Sequence, residues 1–116
     1  MTSTTCIRIA AASGFITVAL GAFGAHGLKG ILDKYETGPT WETAVLYQMF
    51  HSLALLALAL RPTVNTGAVI SFVIGICIFS GSLYVLSLTN IRWLGAITPV
   101  GGAALLIGWI LWFWKA

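Results

Sequence analysis

The stretch from Ile9 to Leu28, IAAASGFITVALGAFGAHGL, holds no Asp, Glu, Lys or Arg and more Gly and Ala than a helix in water would tolerate. Each interior Gly costs about 1 kcal/mol relative to Ala in a water-exposed helix, whereas inside a bilayer small residues let helix backbones approach closely. At about 20 residues per crossing the run is long enough to span hydrocarbon. Heptad spacing puts Ala10, Gly14, Thr17, Gly21, Gly24 and Leu28 on one seam, and gathers Ile9, Ile16, Leu20 and Phe23 on a bulky face. A third arc holds Ala12, Ala19, Ala22 and His26. Two small faces and one bulky face predict a helix gripped by neighbours on two sides, the hub of a bundle. Arg8 ahead of an apolar run also fits a secretory signal, but the run exceeds the usual signal core and reads as a span. Cys6 has no apolar core before it, which argues against a lipoprotein.

Composition identifies the solvent as lipid. With 59% hydrophobic and 8% charged residues, the chain is far from the quarter-charged make-up of soluble domains. Its 116 residues allow one domain of four crossings with little left over. The net charge of +3 comes from singly spaced basic residues, so no patch is dense enough to follow a phosphate backbone. Nucleic acid is therefore excluded as a partner, and membrane lipids are the expected surroundings. Cys6 and Cys77 fall at different membrane depths, a poor disulfide pair, and both read as small apolar residues.

Breakers and charges delimit the other spans. Lys29 to Thr40 is predicted as a polar connection, with Pro39 in the first turn of the second span and Glu42 as a solvated cap near its positive end. The second span ends at Arg61-Pro62, and Thr63 to Gly67 turns the chain back. Ser87 to Asn90 closes the third span, and Pro99 either kinks the fourth or marks its start, with Thr98 as cap. The expected fold is an all-α integral membrane four-helix bundle of up-down-up-down hairpins, residues 1–116 forming one domain with spans at about 9–28, 41–60, 68–88 and 93–114. Trp41 and Trp93 mark one interface, Trp112 and Trp114 the other. Arg8, Arg61 and Lys115 lie on the terminal side, and Lys29, Lys34 and Arg92 on the far side. The amino group tips this tie towards cytoplasmic termini.

Polar residues inside the spans are the candidate site. Tyr47, Gln48, His51 and Ser52 share one arc of the second span, and Leu46, Met49, Phe50, Leu53 and Leu56 cover the other. His51 lies about 15 Å from Trp41 at 1.5 Å per residue, near the midplane. An ionisable group at that depth faces protein or water and is a functional candidate, or else a neutral imidazole bonded to a neighbouring helix. Ser80 and Tyr84 in the third span are placed to join a network with His51, although serines at such positions more often bond their own backbone. A buried Tyr84 hydroxyl needs a partner. His26 is expected to cap the first helix at its negative end. Metal binding is disfavoured, because no carboxylate has ligand spacing with either histidine, and no cofactor is implied.

The segments GAFGAHGL at Gly21 to Leu28, YQMFHSLA at Tyr47 to Ala54, FSGSLYVL at Phe79 to Leu86, and TPVGG at Thr98 to Gly102 with Gly108-Trp109, one on each predicted helix, resemble the YgdD-like family of small bacterial inner-membrane proteins. The resemblance covers nearly the whole chain and implies a four-span protein of the bacterial inner membrane, without an established reaction or cofactor. It adds interest to His26, Tyr47, His51, Ser80, Tyr84, Thr98 and Pro99, which lie in the matching segments. Gly14, Gly21, Gly24, Gly81, Gly101 and Gly102 are the expected packing glycines.

Three functional classes follow. Small-residue seams favour a structural or accessory component that works by packing, as a homo-oligomer or against a partner membrane protein. The arc around His51 suits a small-solute or ion pathway. An intramembrane enzyme with His51 as general base lacks a visible nucleophile and orienting acid.

Overall fold

The computed structural model describes residues 1–116 and contains helices and turns only. Four helices are long and apolar enough to cross a membrane. The first, α1 (Ser3–Ala25), starts well before Ile9, because the Thr2 hydroxyl accepts the Thr5 N–H at 3.1 Å and caps it. Arg8 thus lies within the helix and is exposed, as a long cationic side chain near a membrane surface can be. His26 occupies the C-cap position, its backbone N–H bonded to the Phe23 carbonyl at 3.2 Å.

The predicted polar connection is itself largely helical. Helix α2 (Lys29–Tyr35) carries a Lys29–Asp33 ion pair of 3.3 Å one turn apart and buries Leu32. Helix α3 (Gly38–Ala59) has Pro39 in its first turn, as expected. Glu42 sits beyond that turn and is exposed, so it does not act as the cap. Helix α4 (Thr66–Thr89) begins under an Asn65 side-chain cap to the Ala68 N–H at 3.1 Å, and ends at Asn90 in the left-handed region, φ 58°. Pro99 divides the predicted fourth span: a 3-10 turn (Arg92–Ala96) precedes helix α5 (Thr98–Trp114). Thr98 is the first helical residue and not the cap. Its hydroxyl pairs with Ser82 Oγ at 2.7 Å.

Antiparallel order is fixed by bonds between consecutive long helices. Ser3 donates to the Ala59 carbonyl and Trp41 to the Leu20 carbonyl between α1 and α3. Ser80 donates to the Ala44 carbonyl and Thr37 to the Ser87 carbonyl on the α3–α4 side. Asn65 donates to the Leu111 carbonyl between α4 and α5. The helices form an all-α membrane bundle, flattened to 47 × 26 × 16 Å. Its most extensive pairings are α1 with α3 and α4 with α5, joined through α3 and α4.

That order corrects the expected hub. Helix α1 packs along α3 and touches α2, but makes no extensive contact with α4 or α5. The centre is the α3–α4 pair, with a core of Leu55, Leu58, Val69 and Phe72, all fully buried. The seam of α1 does face α3: Ala10 and Thr17 are buried, a side chain at Gly21 would meet Val45 at 3.4 Å, and one at Gly24 would strike the Trp41 indole. Gly14 and Gly81, expected to mark close contacts, have nothing within 4 Å. The closest approach of a glycine to a neighbouring backbone joins α4 to α5, where a Cβ at Gly101 would fall 2.8 Å from the Phe79 Cα. Gly102 faces the Phe79 ring at 3.7 Å. Two further glycines complete this contact: Gly75 lies under Leu105, and a Cβ at Gly108 would reach the Phe72 ring at 2.6 Å.

Candidate functional site

Helix α3 distributes its polar arc among three neighbours. Gln48 and Ser52 are buried on the side of α1 and α4, where Tyr84 donates to Gln48 Oε1 at 2.6 Å. Gln48 Nε2 lies 3.4 Å from both the carbonyl and the hydroxyl of Ser13 on α1. Ser52 donates to the Gln48 carbonyl at 2.6 Å, which leaves its oxygen to accept from the Ser13 hydroxyl, also at 2.6 Å. Every hydrogen in this set has one direction, so three helices are tied by a consistent network. Thr17 donates to the Ser13 carbonyl at 2.7 Å, next to it on α1.

His51 faces the other way. Its Nδ1 lies 2.7 Å from the Tyr47 carbonyl one turn back, and its Nε2 accepts the Trp109 indole N–H at 3.0 Å. Because the indole can only donate, Nε2 must be bare and Nδ1 must carry the proton, which assigns the neutral tautomer. Edge-on rings of Phe50, Phe72 and Trp109 surround it, with centroids 5.5, 5.3 and 5.8 Å away. His51 as a residue is 5% exposed. With both nitrogens engaged, it joins α3 to α5 and holds no free position for taking a proton from a third group.

The expected single constellation is therefore two. Tyr84 pairs with Gln48 and not with His51. Ser80 bonds the Ala44 carbonyl at 2.8 Å on the neighbouring helix, where own-backbone bonding was the expectation. Ser82 does bond its own helix, donating to the Phe79 carbonyl at 3.0 Å. Tyr47 is exposed, its ring 4.3 Å from that of Phe79. His26 is exposed at the far end of α1, remote from His51. Ser13 and Trp109 are the members that sequence reasoning missed as site residues, although Trp109 lies in a matching segment and Ser13 stands within the small-residue run of α1.

Outside His51 a lateral cavity of about 700 Å³ opens between α3 and α5, bordered by Tyr47, Phe50, Phe79, Gly102, Leu106 and Trp109. Its walls are mainly apolar, as suits a surface in contact with acyl chains. No buried side-chain nitrogen or oxygen anywhere in the chain lacks a hydrogen-bond partner. The arrangement is a set of internal cross-links, and the arc does not line one passage.

Residues 20–102 match the family model described as "Protein of unknown function (DUF423)". The chain is 48% identical over 111 residues to the UPF0382 membrane protein SERP0230 of Staphylococcus epidermidis, covering 90% of this chain and 88% of that protein. It is 47% identical to the UPF0382 membrane protein YwdK of Bacillus subtilis, covering 90% and 89%. With the UPF0382 inner membrane protein YgdD of Escherichia coli K12 it shares 44% identity over 117 residues, covering 96% and 88%. No solved structure matches it.

Proposed function

Because the chain belongs to the DUF423 family of membrane proteins, whose name assigns no reaction, we propose from its packing that it is a structural or accessory component that associates through the outer face of α1. One observation carries this reading: α1 has two small-residue faces and only one of them has a neighbour. Ala12, Ala22 and His26 are exposed and Ala19 half-buried, while the opposite seam is taken by α3. In lipid such a face gains by close van der Waals packing against another helix, where no hydrophobic effect operates. The internal polar groups are already satisfied, so they are not reserved for a partner. The occupant that fits best is a second copy, and a larger membrane protein is the alternative.

Cysteine cross-linking in native membranes tests this, in a Cys77→Ser background because Cys77 is exposed. Ala12→Cys and Ala22→Cys should give covalent dimers, and Ile74→Cys, on the exposed face of α4, should not. Equal cross-linking at all three positions, or a lone monomer in membranes and nanodiscs with no protein retained beside it, would overturn the proposal. We further place both chain ends in the cytoplasm. Three basic residues flank each end of the bundle, and the amino group adds to the side of Arg8, Arg61 and Lys115. Reporter fusions after Ala116, active only on one side of the membrane, check this orientation.

A further inference from the structure

The end of the bundle that carries Arg61 and Lys115 contains a second cavity, of about 520 Å³, set between the α3–α4 turn and the end of α5. Its lining differs from that of the lateral groove: Arg61, Thr63, Thr66 and Lys115 supply cations and hydroxyls, and Trp112 an indole face. Asn65 fixes its floor. The Asn65 side chain caps α4 through Ala68 and at the same time donates to the Leu111 carbonyl at 3.1 Å, so the start of α4 and the last turn of α5 are held together. Arg61 Nη2 donates to a main-chain carboxylate oxygen of Ala116 at 2.6 Å across the opening, which leaves the other guanidinium N–H groups available. Lys115 makes no side-chain bond or ion pair within the chain, whose single salt bridge between side chains joins Lys29 to Asp33 at the far end.

Charge segregation decides what this cavity suits. Asp33, Glu36 and Glu42, the three acids of the chain, all lie at the opposite end of the bundle. The cavity therefore has two cations and no acidic side chain, and the one anion in its lining, the main-chain carboxylate of Ala116, is held by Arg61, so that the lining keeps a net positive charge through Lys115. The positive end of the α4 dipole opens beside it. At this end the spans meet the headgroup layer, where the indole of Trp112 has its usual depth.

We propose that this cavity seats the phosphodiester of an anionic phospholipid, with Arg61 and Lys115 on the phosphate oxygens, Thr63 and Thr66 as hydroxyl donors, and the acyl chains running down beside α5. Clusters of cations on the membrane-facing end of a helix pair recognise lipid headgroups in this way, each Lys or Arg contributing about 1 kcal/mol, or roughly five-fold in affinity.

The test uses the full chain in a neutral detergent, with phosphatidylglycerol or phosphatidylcholine added, and reads both thermal unfolding and lipid retained in native mass spectrometry. Phosphatidylglycerol should raise the melting temperature and remain bound, and phosphatidylcholine should do neither. Lys115→Gln, which removes no internal bond, should weaken phosphatidylglycerol retention about five-fold. Arg61→Gln should weaken it at least as much. Arg8→Gln, a loss of the same charge at the same end but outside the cavity, should leave it unchanged. Three results overturn the proposal: equal retention of the two lipids, an Arg8→Gln loss matching that of Lys115→Gln (diffuse surface attraction), or full stabilisation by inorganic phosphate alone (a soluble ligand).

Discussion

The Trp109 indole and the His51 imidazole meet through one hydrogen bond of 3.0 Å, and because indole only donates, the bond exists only while His51 Nε2 is unprotonated. The link between α3 and α5 thus depends on the protonation state of a ring held among aromatic side chains. Nitrogen NMR of labelled protein in nanodiscs should show His51 with a protonated Nδ1 and a bare Nε2. Trp109→Phe should shift the Nε2 signal and leave Nδ1 in place. A signal from an Nε2–H tautomer would contradict the geometry.

The energetic value of that bond is open to a double-mutant cycle. Interhelical hydrogen bonds in membranes average about 0.6 kcal/mol and reach about 1.7, so a coupling between His51→Phe and Trp109→Phe within that range is expected. Stability read by steric trapping or reversible unfolding in mixed micelles supplies the four corners. A coupling near zero would mean that the ring contacts alone join α3 to α5.

Glycine substitutions should divide by position. Gly101→Ala places a methyl group against the Phe79 backbone, which has no flexible end to move aside, and overpacking of this kind costs about 1 to 3 kcal/mol. Gly24→Ala should also be costly, since it strikes the Trp41 indole and with it the bond to the Leu20 carbonyl. Gly14→Ala and Gly81→Ala meet nothing within 4 Å and should be neutral or slightly stabilising. Melting temperatures of the four variants in one detergent decide the order.

The network around Gln48 makes a further prediction. Tyr84→Phe leaves Gln48 Oε1 without its 2.6 Å donor, yet keeps the ring contact with Trp41, whose centroid is 4.8 Å away. The loss should be about 0.6 to 1.7 kcal/mol, the range of interhelical bonds in lipid. Gln48→Leu removes bonds to α1 and α4 together and should cost more than Tyr84→Phe. Chemical unfolding of both variants provides the comparison.

How much of this was legible in the sequence depends on the scale at which it is read. Four crossings, the role of Pro39 at a helix start, and the use of Gly21 and Gly24 against a neighbour all follow from composition and spacing. Helix α1 runs back beyond the expected span to Ser3, and Arg8 is compatible with this because a long cationic side chain can lie along an apolar helix near its end. The α2 helix was hidden by its charges, which make sense once Lys29 and Asp33 pair one turn apart. The site was only half visible. Gln48, His51 and Ser52 could be found because polar groups at membrane depth are rare. Their partners could not: Ser13 lies beside the small-residue seam of α1 and not on it, and α5, which carries Trp109, is apolar all round and offers no periodic signal to set its rotation. The glycine-rich first helix suggested a hub, but the closest backbone approach involves Gly101 on α5.

The pairing of α1 with α3 and of α4 with α5, each nearest to its predecessor along the chain, bears on how the molecule is made. Contacts between consecutive spans form without closing long loops, and local topology of this kind assembles quickly. During synthesis the first hairpin can complete its bonds at Ser3, Cys6 and Trp41 before α4 has emerged. The second hairpin can then form around Gly101, leaving the α3–α4 seam to join two finished halves. Insertion in pairs would keep the Gln48 side chain covered by α1 on entering lipid, so that the least apolar of the four long helices is shielded from hydrocarbon before its last partner, Tyr84, arrives.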